Sequence, residues 1–129
     1  MDYRKLLDAA IETTKYSYAP YSKVTVGAAL LTKTGKIYTG VNVENVSFGA
    51  TNCAERTAIF KAVSEGEMAF VAIAVASNLD KPISPCGICR QVIVEFSADI
   101  DVILGDATSY EVYKASELLP LGFYKTELL

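Results

Sequence analysis

Three cysteines and no histidine leave this chain of 129 residues few ways to hold a metal, and any way it uses fixes which segments must meet. One cysteine stands in Cys53-Ala54-Glu55, and the other two in Pro85-Cys86-Gly87-Ile88-Cys89. A structural zinc site fills four positions with Cys and His, whereas a catalytic one stops at three protein ligands. Without histidine, a fourth position falls to an Asp or Glu, to a neighbouring subunit, or to water, and water is the option that carries chemistry. An odd number of cysteines, two of them three apart, fits metal ligation in a reducing compartment better than a disulfide framework.

Length and composition bound the rest. The chain suits a single domain over residues 1–129, and a hydrophobic fraction of 51% makes it globular. Its longest apolar runs, about eight residues, fall well short of the ~20 that cross a bilayer, and the N-terminal residues lead into no signal-peptide core. A cytoplasmic protein without a membrane partner is expected. Twelve Lys and Arg are scattered among fifteen Asp and Glu, for a net charge of −3. A protein that grips phosphates would show a basic stripe, so the partner expected is a small molecule and not nucleic acid.

Apolar residues at Tyr3, Leu6, Leu7, Ala10 and Ile11 recur at helical spacing and predict a first helix over 3–17, ending before Ala19-Pro20. Val24–Leu31 and Ile37–Glu44 read as strands joined by the turn Lys33-Thr34-Gly35-Lys36 into an antiparallel hairpin. Asn45–Asn52 reads as a loop, and Cys53–Glu65 as a helix stopped by Gly66. Phe70–Ala76 is apolar without alternation, as in a strand buried on both faces. A helix over Cys86–Phe96, strands at Asp101–Leu104 and Tyr110–Lys114, and a helical turn capped by Ser116 complete the chain. Helices between strands two, three and four imply right-handed crossovers and parallel pairing among the later strands. Gly105–Ser109 is too short for a crossover, so the fifth strand should run antiparallel to the fourth, giving a five-stranded mixed sheet.

In the first turn of a helix, Cys86 and Cys89 share one face, and Cys53 opens another helix. Two helix N-termini supply partial positive charge and free N–H groups that favour thiolates. Three thiolates around Zn²⁺ still leave a formal charge of −1, which calls for a nearby cation. Arg56 is the first candidate and Arg90 the second. Each element also has a plain explanation. The cysteines could be small buried hydrophobes, Asn52-x-x-Glu55 could be a helix capping box, and Arg56 could be a solvated surface residue.

The Cys-Ala-Glu and Pro-Cys-x-x-Cys elements resemble the zinc-dependent deaminase signature, in which zinc activates water and a Glu that is not a ligand moves the proton. From Tyr18-Ala19-Pro20-Tyr21-Ser22-Lys23 through Val26-Gly27-Ala28-Ala29-Leu30 to Leu118-Leu119-Pro120, nearly the whole chain is similar to the small cytidine deaminases. The resemblance implies an α/β/α sandwich, one zinc per subunit on Cys53, Cys86 and Cys89, and a homotetramer whose active sites are completed by neighbouring chains. It implies hydrolysis of cytidine or deoxycytidine to the uracil nucleoside in pyrimidine salvage, with Glu55 as the catalytic proton carrier. Asn42 and Glu44 would bind the ribose hydroxyl, the Ala54 N–H the pyrimidine carbonyl, and the Ser84 carbonyl the departing amine. Phe123 would reach into a neighbour's pocket, and Arg56 would hydrogen-bond ligand sulfurs.

Three positions depart from the family pattern. Val24 stands where Phe is common against the base, Val46 where Ala is common, and Phe48 where Tyr is common. These bear on substrate choice and keep open a deaminase of a modified cytosine nucleoside or of a blasticidin-type antibiotic. Outside that chemistry stand a zinc-stapled oligomeric binding module, its fourth ligand from another chain, and a nucleic-acid base editor. The short link between the last two strands speaks against the editor, because nucleic-acid editors of the superfamily usually carry a helix there.

Overall fold

In the computed structural model, which describes residues 2–129, helix α1 runs over Tyr3–Thr13. Residue 1 of the expected 1–129 unit lies outside the described residues. The Asp2 side chain caps α1 by accepting the Arg4 N–H at 2.9 Å. Leu6, Leu7 and Ala10 are fully buried beneath it. The helix stops short of the expected residue 17 and tightens into a 3₁₀ turn over Thr14–Tyr16. The cause is local: the Thr14 hydroxyl donates back to the Ile11 carbonyl at 2.6 Å, a bond that competes with continued α-helix.

The strands are β1 (Val26–Thr32), β2 (Ile37–Val41), β3 (Phe70–Ser77), β4 (Asp101–Gly105) and β5 (Tyr110–Lys114), in the spatial order β2-β1-β3-β4-β5. β1 pairs antiparallel with both β2 and β3, β3 pairs parallel with β4, and β4 pairs antiparallel with β5, so the sheet is mixed as expected. The expected parallel pairing holds only for β3 and β4. β2 and β3 run the same way with β1 between them. Ala28–Leu31 is apolar on both faces and takes a central place, whereas β2 leaves Ile37 exposed and takes the edge.

Helices α2 (Ala54–Ser64) and α3 (Gly87–Phe96) lie on the face opposite α1, making three layers. Ala29, Leu31, Ala72, Ala74 and Ile103 pack under α1, while Ala28, Leu30, Ile73, Val75 and Val102 pack under α2 and α3. Alternate residues of the same strands thus serve opposite cores, which is why these strands carry no polar alternation. Gly40 of β2 lets α2 sit close, because a Cβ there would lie 2.4 Å from the Ala58 nitrogen and 2.6 Å from the Ala54 carbonyl oxygen. Gly66, at φ +89°, ends α2 as expected.

β1 begins and β2 ends differently from expectation, for one reason. β1 starts at Val26 and not Val24, and β2 ends at Val41 and not Glu44. Between them the Asn42 side chain replaces the ladder: its Oδ1 accepts the Val26 N–H at 2.9 Å and its Nδ2 donates to the Val24 carbonyl at 2.8 Å. The final turn is a 3₁₀ segment over Ala115–Leu118 with Lys114, not Ser116, at its N-cap. β5 runs straight into it, and the Glu117 carboxylate accepts the Lys114 N–H at 2.8 Å, leaving Ser116 inside the turn. Short 3₁₀ segments at Phe48–Ala50 and Lys125–Glu127 carry no periodic signal in the sequence.

Because β2 and β3 share a direction, α2 and α3 both begin at the carboxyl end of the sheet. That is where open α/β sheets place ligands.

Candidate metal centre

Cys53 is the N-cap of α2 and Cys86 the N-cap of α3, with Cys89 one turn further along α3. Their three sulfurs lie within 4.8 Å of one another, and the Cys53–Cys86 pair is 3.8 Å apart. A tetrahedral zinc with bonds of about 2.3 Å needs sulfurs about 3.8 Å apart, so the donor set fits zinc in both softness and spacing. Cys89 is buried, Cys53 half-buried and Cys86 exposed, which leaves the cluster open on one side.

The Cys53 and Cys89 thiols are shifted in opposite directions. A hydrogen bond from Cys89, then bonds from Arg56 and Cys86, holds the Cys53 thiol down to about 5 against the opposing effect of burial. Cys89, which donates to Cys53 and is buried, is pushed far above its ordinary value. Metal binding therefore has to displace protons from this cluster. The Arg56 Nη2 donates to the Cys53 sulfur at 3.1 Å, and its buried Nε–H has no partner among the described residues. Burial disfavours the guanidinium charge, but its bonds to Cys53 and Cys89 more than offset that and raise its pKa. Arg90, the second candidate cation, is committed elsewhere, to the Pro85 and Leu118 carbonyls and the Ser84 hydroxyl.

Glu55, the second residue of α2, is 4% exposed. Burial, with a contribution from the Cys53 thiolate, pushes its carboxyl up to about 7. No capping box forms. Asn52 lies one place before the N-cap, and its amide donates to the Thr57 hydroxyl at 3.1 Å. Glu55 instead borders a cavity of about 200 Å³ together with Val26, Asn42, Cys53, Ala54, Ser84 and Cys86. The Ala54 N–H is in the first turn of α2, where backbone donors have no intrahelical acceptor.

Of the residues expected at the sugar, Asn42 lines this cavity and Glu44 does not; Glu44 lines an adjoining one with Tyr21, Ser22, Asn45, Phe48 and Thr51. Both side chains carry structural bonds. Asn42 Oδ1 also accepts the Ser17 hydroxyl at 2.6 Å. Glu44 Oε1 accepts the N–H groups of Tyr21 and Ser22 at 2.9 and 3.1 Å, and Oε2 accepts the Ser22 hydroxyl. The Ser22 hydroxyl first, and those N–H groups with it, hold the Glu44 carboxyl below its ordinary value. Phe123 is exposed and lies apart from the Glu55 cavity, beside Gln91, Glu95 and Leu128. Val46 and Phe48 are exposed, and the Phe48 ring meets Tyr21 edge-on at 6.5 Å.

The three-way grip of Arg90 and the backbone role of Asn42 were missed in the sequence. Arg90 drew attention only as a cation next to Cys89, and Asn42 only as a ribose contact implied by the resemblance.

Residues 1–105 match the family described as "Cytidine and deoxycytidylate deaminase zinc-binding region". The chain is 50% identical over 125 residues to a cytidine deaminase of Halalkalibacterium halodurans, covering 95% of each protein. It is 56% identical over 131 residues to a probable cytidine deaminase of Dictyostelium discoideum, covering 99% of this chain and 88% of that one. The crystal structure of cytidine deaminase from Burkholderia pseudomallei superimposes with a TM-score of 0.91 at 45% identity, over 95% of this chain and all of that one. With three sulfurs spaced for zinc, a buried carboxylate beside them and this likeness along nearly its whole length, the chain belongs to the zinc-dependent cytidine deaminase family.

Proposed function

We propose that this chain is a zinc-dependent cytidine deaminase that converts cytidine or deoxycytidine and water to the uracil nucleoside and ammonia. One observation carries the reading: three cysteine sulfurs and the buried Glu55 carboxyl border one cavity at the N-termini of two helices. Zinc held by Cys53, Cys86 and Cys89 supplies a Lewis acid that makes water nucleophilic near neutral pH.

The protein's own groups do the rest. Glu55 accepts a proton from the attacking water and passes it to N3 of the pyrimidine, which makes C4 electrophilic. The water oxygen bonds to C4, Glu55 then takes the remaining proton from that oxygen and delivers it to the amino group, and the C4–N bond breaks to leave the carbonyl and release ammonia. A carboxyl poised near neutrality can both take and give that proton. The Ala54 N–H holds the pyrimidine carbonyl and the Ser84 carbonyl receives the departing amine. Arg56 moderates the sulfur charge. Asn42 and Glu44 contact the ribose through the hydrogen-bonding capacity their structural bonds leave free.

Residues 1–129 act as one domain, in the cytoplasm and in pyrimidine salvage, and four copies assemble with shared sites. The exposed Phe123, distant from its own chain's cavity, supports completion of one site by another chain. Among the described residues no helix is long and apolar enough to cross a membrane.

Ultraviolet absorbance on incubation with cytidine tests the reading. Chelator-treated protein should lose turnover, and added zinc should restore it. Turnover of blasticidin S with none of cytidine or deoxycytidine would move the substrate assignment. Absence of turnover with all three, in protein carrying a closed four-ligand zinc, would favour the binding module.

A further inference from the structure

We propose that Arg90 is a positioning residue that presets the segment Ser84–Cys89 for metal and substrate by tying it to the turn that ends at Leu118. The inference rests on the metal role of the three thiols. One guanidinium makes three bonds: Nε to the Pro85 carbonyl at 2.7 Å, Nη1 to the Leu118 carbonyl at 2.8 Å and Nη2 to the Ser84 hydroxyl at 2.5 Å.

These contacts bracket the ligands. Pro85 directly precedes Cys86, and Arg90 directly follows Cys89. A further bond from the Arg90 N–H to the Cys86 carbonyl, at 3.0 Å, closes the first turn of α3 around the same four residues. Backbone and side chain of Arg90 therefore fix both ends of the stretch that sets the spacing between the two thiols. Cys86 needs such outside support, because it is exposed and forms only the N-cap, with no side-chain cap bond. Ser84 lines the Glu55 cavity, so the same grip sets the cavity wall.

Leu118 supplies the fixed point. It packs against the core under α2 and α3 and lies 28 residues from Arg90 in sequence. The neighbouring Gln91 extends the tie by donating from Nε2 to the Phe123 carbonyl at 2.6 Å. Arginine suits the task because its planar fork offers several donors in fixed directions. A lysine ammonium is a single point on a flexible stem and cannot span all three acceptors.

The test measures zinc affinity by competition with a chromogenic chelator, on folded metal-free protein held well below its melting temperature. Residues that orient metal ligands typically cost 10–100-fold in affinity when removed. Arg90→Ala should weaken zinc binding by about that factor, and Arg90→Lys by less. Ser84→Ala, which deletes one of the three acceptors, should cause a smaller loss than Arg90→Ala. With zinc saturating, Arg90→Ala should raise KM for cytidine more than it lowers kcat, because the cavity wall moves while Glu55 stays. If Arg90→Ala fails to fold, the comparison is made on Arg90→Lys. Zinc affinity within about threefold of the parent in every folded Arg90 variant would overturn the proposal, whatever their activity. Because affinity is read without substrate, lack of deamination by the parent protein would count against the functional assignment alone.

Discussion

Asn42 grips Val24 across the end of the sheet, its Nδ2 donating to the Val24 carbonyl at 2.8 Å while its Oδ1 takes the Val26 N–H at 2.9 Å. One side chain thus continues the strand pairing from Val26, the first residue of β1, to Val24 just outside it. The residue is 9% exposed and borders the Glu55 cavity, so the amide that orders the backbone also faces the space in which the proposed reading places the ribose. Asn42→Asp keeps the acceptor, removes the donor and sets a carboxylate against the Val24 carbonyl. The expected cost is about 1–3 kcal/mol, the range for leaving a buried polar group unsatisfied. Urea unfolding measures that loss, and KM for cytidine should rise alongside it. An Asp variant with the parent's stability would show that the grip contributes little.

Gly40 sets how close α2 comes to the sheet. The atoms a Cβ would strike belong to backbone, at 2.4 Å and 2.6 Å, and cannot swing aside. Gly40→Ala should therefore displace α2, which carries Cys53 and Glu55. A stability loss of about 1–3 kcal/mol is expected from such overpacking. Zinc affinity and turnover should fall together. A Gly40→Ala protein with parental zinc affinity would contradict this link.

The Tyr3–Asp101–Lys114 network should make stability depend on pH at both extremes. The Tyr3 hydroxyl donates to Asp101 at 2.5 Å, and Lys114 lies 2.7 Å from the other Asp101 oxygen. Burial and then Asp101 push Tyr3 up to about 12 from 10.0. A raised value means stability that is whole below the unfolded pKa and is lost as pH rises from 10.0 towards 12. Burial acts to raise Asp101, but Lys114 and Tyr3 outweigh it and leave the carboxyl below 3.8. That stability is present above 3.8 and is lost as pH falls through the depressed value. Tyr3→Phe should flatten the alkaline limb of a melting-temperature profile and weaken the acid one. An unchanged profile between pH 10 and 12 would remove Tyr3 from the explanation.

Much of this was legible in the sequence because it rests on local pattern. Phe70–Ala76 has no polar residue, and only a strand covered on both sides can use such a run. Cys53 and Cys86 precede helical stretches, so their placement at two helix starts could be read from residue order. What escaped is contact between distant segments. Asn42 delays the start of β1 and ends β2 early through bonds between its side chain and Val24 and Val26, which no periodicity encodes. Arg90 sits next to a cysteine and carries the charge a thiolate site wants, yet its partners are two carbonyls, one of them at Leu118, and the Ser84 hydroxyl. The place of β1 between β2 and β3 also needed the whole sheet, since crossovers fix handedness and not which strand lies inside.

Glu55→Gln tests the central claim most directly, since it keeps the shape of the side chain and removes its capacity to carry a proton. The variant should fold, bind one zinc per chain with near-parental affinity, and turn over cytidine with a kcat lower by about 10²–10⁴-fold, the usual contribution of general acid–base catalysis. Parental turnover by a zinc-loaded Glu55→Gln protein would contradict the account.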